Sequence, residues 1–188
     1  CEETLSFNKS IHTAFNLDIE GDPKKTNIGL RALFNRNLYY QELNRFVDKP
    51  NPKAIIDKTP MMAASIKYLE KLMPNKRYIF SIRHPYDVVL SNYKQIYNQT
   101  IEMVAFNQIY DSCVQYDFIM RTWFDVFPGP DERVFYVVYD ELVNDFDRVV
   151  QGALEFLGVE WSNEVSAFAE SSASRAVRTP SYAKVRQG

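Results

Sequence analysis

From Lys53 onward, short apolar runs alternate with stretches in which apolar residues recur every three or four positions. The short runs are rich in β-branched and aromatic residues and nearly continuous in hydrophobicity, which is typical of buried parallel strands. Three strands are predicted, at residues 53–57, 77–82 and 133–139. Strands that alternate with helices indicate an α/β domain with a central, mainly parallel sheet in which 77–82 is the central strand.

Each predicted strand is followed by a helix signal. Thr59-Pro60 can cap and start one helix, Pro85 starts the next, and Asp140 can cap a third that runs to Gly158. A longer helix is predicted over residues 109–127, before Pro128-Gly129-Pro130 stops it. Its inward positions are predicted to be Ile109, Cys113, Tyr116, Met120, Trp123 and Phe127.

The composition favours one domain over residues 1–188, since 188 residues with 46% hydrophobic content can build one sizeable core. Residues 5–50 have weak periodicity and are predicted to form an irregular helical cap on an α/β core at 53–188. The net charge of −2 argues against a protein that coats nucleic acid or an anionic membrane. No apolar run reaches the roughly 18 residues of a membrane span.

The chain has few residues for metal or disulfide chemistry. Two cysteines cannot form a disulfide framework, and two histidines cannot supply a His-rich zinc site. Among the six glycines, no pair has the spacing of a phosphate-binding loop or a dinucleotide fingerprint. Any anion site in this chain is therefore expected to rest on side chains, and no metal is expected.

The carboxyl ends of the three predicted strands carry Lys58, Arg83 and Tyr139. Ligands of open α/β sheets bind outside the carboxyl ends of the strands, so the two cations suggest a phosphorylated or sulfated ligand. Arg83 precedes a helix start at Pro85, and Ser91 lies eight residues after Arg83, so both could share one phosphate with the helix N-terminus. The alternative is that Arg83 pairs with Asp87 while Ser91 and Lys58 are merely solvated.

Two segments resemble sulfotransferases that use 3′-phosphoadenylyl sulfate (PAPS). The run IIDKTPMMAASIKYLEKLMPNKRYIFSIRHPYDVVLSNY is similar to their central segment, in which an Arg and a Ser eight residues later hold the 3′-phosphate. The resemblance therefore assigns this role to Arg83 and Ser91. The segment VYDELVNDFDRVVQGALEFLGVEW resembles the Tyr-Glu-x-Leu strand and helix of the family, and the tyrosylprotein branch implies a place beside the nucleotide for Tyr139.

Both ends of the chain add to this resemblance. The tail VRTPSYAKVRQG is similar to the loop that closes over the nucleotide in tyrosylprotein and related bacterial sulfotransferases, which implies binding roles for Ser181, Lys184 and Arg186. The opening CEET resembles the segment that carries the catalytic base, which would be Glu3; the alternative is an ordinary acidic residue near a chain end. Leu5 stands where a substrate-binding arginine is expected, which disfavours peptide tyrosine as the acceptor.

The family implies a three-layer fold like that of P-loop nucleotide kinases, and a catalytic role for Lys58. The sequence is expected to start after the first strand and the Gly-rich loop that grips the 5′-phosphosulfate, so this chain alone should transfer little sulfuryl group. The implied reaction moves that group from PAPS to a hydroxyl of a peptide, carbohydrate or small molecule and leaves 3′-phosphoadenosine 5′-phosphate (PAP), without metal or nucleic acid. His84 is an alternative base. The sheet surface left without its first strand is expected either to favour self-association into a homo-oligomer or to be covered by residues 5–50. The compartment stays open, the cytoplasm being favoured for a bacterial source.

The rival interpretation is a non-catalytic domain that keeps the sulfotransferase fold. Such a domain would act as a binding or structural module.

Overall fold

The computed structural model describes residues 36–41, 43–45, 47, 51–58, 60–73, 76–95, 97 and 103–167. Within these ranges the chain divides into two compact units. Unit 1 contains the described residues up to Lys76 together with 119–129, and unit 2 contains 77–118 and the described residues from Pro130 onward.

Unit 1 is helical. It contains helical residues 36–41 and 43–44, a 3₁₀ helix at Pro60–Ser65 that continues into α1 (Ile66–Leu72), and the second part of a long helix, α3 (Ile109–Val126). The helix predicted to start at Pro60 is confirmed, with a 3₁₀ first part. The buried apolar residues of unit 1 lie in or directly after its helical segments, and they are Tyr39, Leu43, Ile66, Leu69, Leu72, Met73, Trp123 and Phe127.

The strand predicted at residues 53–57 is wrong. This segment of unit 1 has no strand conformation, and the side chains of Ile55 and Ile56 are 43% and 67% exposed. A strand requires a hydrogen-bonded neighbour, and the described residues offer none to this segment. Two isoleucines also provide too little apolar surface to bury the segment on both faces, as a central parallel strand would be.

Unit 2 contains a parallel ladder of β1 (Tyr78–Ile82) and β2 (Val134–Val138), paired from Tyr78 with Val134 to Ile82 with Val138. The prediction of parallel strands at 77–82 and 133–139 is confirmed within one residue at each end. The described part of the sheet has two strands, so each is an edge of this ladder and β1 is not its centre. The mixture of helices with a parallel sheet confirms the predicted α/β class.

Helices follow both strands in unit 2. After β1 come α2 (Pro85–Tyr93) and a 3₁₀ helix at Val104–Asn107, and after β2 come α4 (Tyr139–Asn144), α5 (Phe146–Leu157) and α6 (Asn163–Ser166). These helices confirm the start predicted at Pro85 and the stop predicted at Gly158, where φ is 71°.

The single helix predicted from Asp140 to Gly158 is divided in two. Asp145 separates α4 from α5 with φ −149° and ψ 68°, outside the helical region. Asn and Asp have low helix propensity, which favours a break at Asn144 and Asp145, and the Asp145 carboxylate accepts from Arg148 instead of capping α5. Arg148 bridges the two helices, with ion pairs to Glu141 at 3.1 Å and Asp145 at 2.8 Å.

The inward positions predicted for the long helix α3 are only partly right. Trp123 and Phe127 are buried, with ring centroids 4.8 Å apart, but Ile109 and Cys113 are exposed. Ser112 is buried instead, because its hydroxyl donates to the carbonyl of Gln108 at 2.8 Å and contacts that of Ala105 at 3.3 Å. The second of these contacts joins α3 to the preceding 3₁₀ segment. Within the described ranges, no helix has the length and apolar character needed to cross a membrane.

Candidate functional site

Arg83 leaves β1 at its carboxyl end, where the next helix begins. His84 is extended, with φ −52° and ψ 130°, as expected for a residue before proline, and Pro85 takes the first helical position. The carbonyl of His84 accepts the backbone N–H groups of Asp87 at 3.0 Å and Val88 at 3.2 Å. These bonds fix the first turn of α2 beside Arg83.

The Arg83 guanidinium has two neighbours of different kinds. Its Nη2 atom lies 3.4 Å from Oδ2 of Asp87, and its Cζ atom lies 4.5 Å from the ring centroid of Tyr139. A cation over an aromatic ring at this distance is an attractive contact. Because Tyr139 directly follows β2, parallel pairing brings together two predicted site residues that are far apart in sequence.

Ser91 lies on α2, one turn after Asp87, and is exposed. Residues four apart share a helix face, so Ser91 and Asp87 lie along the side of α2 that Arg83 contacts. The alternative interpretation predicted a pair between Arg83 and Asp87, and that pair is present. The shared phosphate of Arg83 and Ser91 stays a prediction.

Lys58 belongs to unit 1, where it is exposed at the end of the segment that lacks a strand. The sequence had predicted Lys58, Arg83 and Tyr139 at the edge of one sheet. Of these three, Arg83 and Tyr139 follow strands of the described ladder, and Lys58 does not. Glu3, Ser181, Lys184 and Arg186 lie outside the described residues.

The residue before Lys58 is held by a contact that the sequence did not reveal. The hydroxyl of Tyr39 donates to Oδ2 of Asp57 at 2.8 Å, and the Tyr39 side chain is only 6% exposed. Burial, followed by this hydrogen bond, raises the pKa of Tyr39. No motif or periodicity linked the two residues, since their contact depends on how the helical residues around Tyr39 pack.

Unit 2 also has an open groove of about 610 Å³ between β2, α4 and α5. It is lined by Phe135, Tyr136, Glu141, Arg148, Val149, Gln151, Gly152 and Glu155. The predicted residues Arg83, Ser91 and Tyr139 are not among these, so the groove and the carboxyl edge of the ladder are separate candidates for a ligand. In the described parts of the chain, no three His, Cys, Asp or Glu side chains form a group that could hold a metal ion.

Comparisons with known proteins identify relatives. An uncharacterized protein from Aquifex aeolicus (strain VF5) is 26% identical over 162 residues, which are 84% of this chain and 20% of that protein. The chain thus spans about a fifth of the length of this curated relative. A solved structure, the sulfotransferase domain from the curacin biosynthetic pathway, is 19% identical with a TM-score of 0.49 over 70% of this chain and 46% of that one.

A family model described as the sulfotransferase family matches residues 16–163, which is most of the chain. The protein therefore belongs to the sulfotransferase family.

Proposed function

We propose that this chain is the nucleotide-binding part of an enzyme that transfers a sulfuryl group from PAPS to a hydroxyl acceptor. Family membership supports the reaction class. The main observation in support of a nucleotide site is the contact between Arg83 and Tyr139 at the carboxyl edge of the parallel ladder. Proteins of the α/β class bind ligands at this edge.

In this proposal Arg83 and Ser91 bind the 3′-phosphate. A guanidinium offers five N–H donors in a planar fork that suits phosphate, and the Arg83 side chain is 41% exposed, so donors are accessible. The Ser91 hydroxyl adds a donor from α2, and the N-terminus of α2 favours negative charge. Tyr139 lies beside the nucleotide. The residues at this edge thus fit a phosphate group.

The transfer step follows from the chemistry of a sulfuryl group. A new bond forms between the acceptor oxygen and sulfur while the bond between sulfur and the bridging oxygen of the 5′-phosphate breaks, which releases PAP. Glu3 accepts the proton of the hydroxyl, and Lys58 stabilises the negative charge that develops on the bridging oxygen. Ser181, Lys184 and Arg186 bind the nucleotide, the role that the family resemblance implies for them. The proposal needs no metal ion because side chains supply the positive charge.

The nucleotide site is tested by calorimetric titration with PAP and with adenosine 5′-phosphate, which lacks the 3′-phosphate. The wild-type chain should bind PAP more tightly. Arg83→Ala should weaken PAP binding by about 10- to 150-fold, the equivalent of one charged hydrogen bond of about 1.5–3 kcal/mol, with little effect on adenosine 5′-phosphate.

Arg148→Ala is the matched control, because it removes an exposed arginine of the same unit that lines the groove instead of the sheet edge. A greater loss of PAP affinity in Arg148→Ala than in Arg83→Ala would place the phosphate in the groove and reject the proposed site.

Activity is tested on the native full-length protein with radiolabelled PAPS and phenolic, carbohydrate and peptide acceptors. Transfer to one class would establish the enzyme and name its acceptor. PAP binding without transfer to any class would favour the non-catalytic binding module.

A further inference from the structure

The two neighbours of Arg83 affect its guanidinium differently. The Tyr139 ring, 4.5 Å away, attracts the cation through its π face and accepts no conventional hydrogen bond, so it restrains Arg83 and leaves its N–H donors available. The Asp87 carboxylate, 3.4 Å away, partly neutralises the positive charge of Arg83. Arg83 is thus held by one residue and partly neutralised by the other.

The pair between Arg83 and Asp87 is loose. Its separation of 3.4 Å exceeds the 2.7–2.9 Å of a good charge-assisted hydrogen bond, and the two side chains are 41% and 55% exposed. Pairs of this kind contribute little free energy because water solvates both charges. An entering phosphate can therefore take the place of the carboxylate.

Asp87 cannot move far when it is displaced. It lies in the first turn of α2, and its backbone N–H donates to the carbonyl of His84 at 3.0 Å. Its side chain can rotate, but its negative charge stays close to Arg83 and therefore close to any phosphate bound there. The carboxylate opposes phosphate binding both as a competitor for Arg83 and as a like charge.

We infer that Asp87 is a counter-ion that lowers the affinity of the nucleotide site, while Tyr139 keeps Arg83 in place when phosphate replaces the carboxylate. This inference rests on the proposed function. PAPS and PAP carry the same 3′-phosphate, so Asp87 weakens the binding of donor and product alike. Its consequence for turnover is faster release of the spent nucleotide.

The test is Asp87→Asn, which removes the charge and keeps the shape of the side chain. PAP should bind about two- to five-fold more tightly to this variant, the range expected for an exposed ion pair, and its dissociation in stopped-flow measurements should slow by a similar factor. The affinity for adenosine 5′-phosphate should not change, and the gain for PAP should shrink at high salt.

Asp147→Asn is the control, since it removes an exposed carboxylate from the first turn of α5 and changes the net charge equally. Asp87→Ser repeats the test with a second side chain that suits a helix N-terminus, should the asparagine variant fold poorly.

The outcomes separate the two proposals. If the wild type prefers PAP to adenosine 5′-phosphate but neither Asp87 variant binds PAP more tightly than Asp147→Asn does, the inference about Asp87 is wrong and the proposed function stands. If the wild type does not prefer PAP at all, the proposed 3′-phosphate site fails, and the inference fails with it.

Discussion

Residues 53–58 and 78–83 look alike in sequence, since each is a short apolar run that ends in a basic residue, yet the protein holds them in different ways. Arg83 follows β1, whose five residues all pair with β2. Lys58 follows a segment without a ladder, and the residue before it is held by the buried hydroxyl of Tyr39. A ladder distributes its support over many backbone bonds, whereas the Lys58 segment depends on individual side chains.

The largest effect should come from the anchor in unit 1. Tyr39→Phe removes the hydrogen bond to Asp57 and is expected to lower the free energy of unfolding by about 1.5–3 kcal/mol, as for a bond to a charged acceptor. The measurement is urea unfolding followed by the fluorescence of Trp123, in a Trp161→Phe background that leaves one tryptophan, located in unit 1.

Tyr40→Phe is the control, because the Tyr40 side chain is 45% exposed and its substitution should change the free energy of unfolding by no more than about 0.5 kcal/mol.

The same contact predicts a pH dependence of stability. Burial and the bond to Asp57 raise the pKa of Tyr39 above its ordinary value of 10.0, so above pH 10.0 the folded state keeps a proton that the unfolded state releases. The stabilisation is complete below pH 10.0 and is lost as the pH rises further, and Tyr39→Phe should reduce that alkaline loss. If Tyr39→Phe and Tyr40→Phe lower the free energy of unfolding equally, the Lys58 segment does not depend on the Tyr39 hydroxyl.

A smaller effect is expected at the sheet edge. Tyr139→Leu removes the ring beside Arg83 and should weaken PAP binding about two- to five-fold, the range for an exposed cation–π contact. Tyr139→Phe keeps a ring and should bind PAP nearly as well as the wild type. Thermal unfolding should show little change in either variant, since Tyr139 is 43% exposed. If the phenylalanine variant loses as much affinity as the leucine variant, the hydroxyl of Tyr139 matters instead of its ring.

The smallest effect should come from Asp131, in the turn before β2. Hydrogen bonds from the Arg133 side chain and then from its backbone N–H hold the pKa of Asp131 below its ordinary value of 3.8. The stability that Asp131 adds is therefore complete above pH 3.8 and is lost as the pH falls through the lower pKa of the folded state. Asp131→Asn should flatten the decline of the urea midpoint as the pH falls below 3.8, whereas the neighbouring exposed change Glu132→Gln should not. Identical acid slopes for wild type and Asp131→Asn would contradict this.

The fold was predictable where sequence pattern and tertiary environment agree. Residues 77–82 and 133–139 consist mostly of β-branched and aromatic residues, and strands form at Tyr78–Ile82 and Val134–Val138. Residues 53–57 share this apolar character only at Ile55 and Ile56. A strand also needs a hydrogen-bonded partner strand, which a local sequence pattern cannot reveal. The break at Asp145 was visible in the Asn-Asp pair, yet the apolar spacing on either side of it outweighed that signal.

The positions of the candidate site residues along α2 were predictable from their spacing in the sequence. Asp87 and Ser91 are four residues apart, so helix periodicity places them on the same face of α2, next to Arg83. The contact between Arg83 and Tyr139 followed only in outline, from the rule that ligands bind at the carboxyl ends of parallel strands, because its geometry depends on the register of the ladder. The bond between Tyr39 and Asp57 could not be predicted, since residues 5–50 carry no periodicity that places Tyr39 near Asp57.

The parallel pairing of β1 with β2 also connects the proposed nucleotide binding to folding. The ends of the long segment between Ile82 and Val134 must come together before the ladder forms. Such non-local pairing is slow because the chain loses conformational entropy before the stabilising contacts form. Arg83 and Tyr139 thus come together only in chains whose ladder is complete. A nucleotide that binds this edge selects those chains and stabilises them by mass action, so PAP should act as a ligand-dependent stabiliser of the sheet itself.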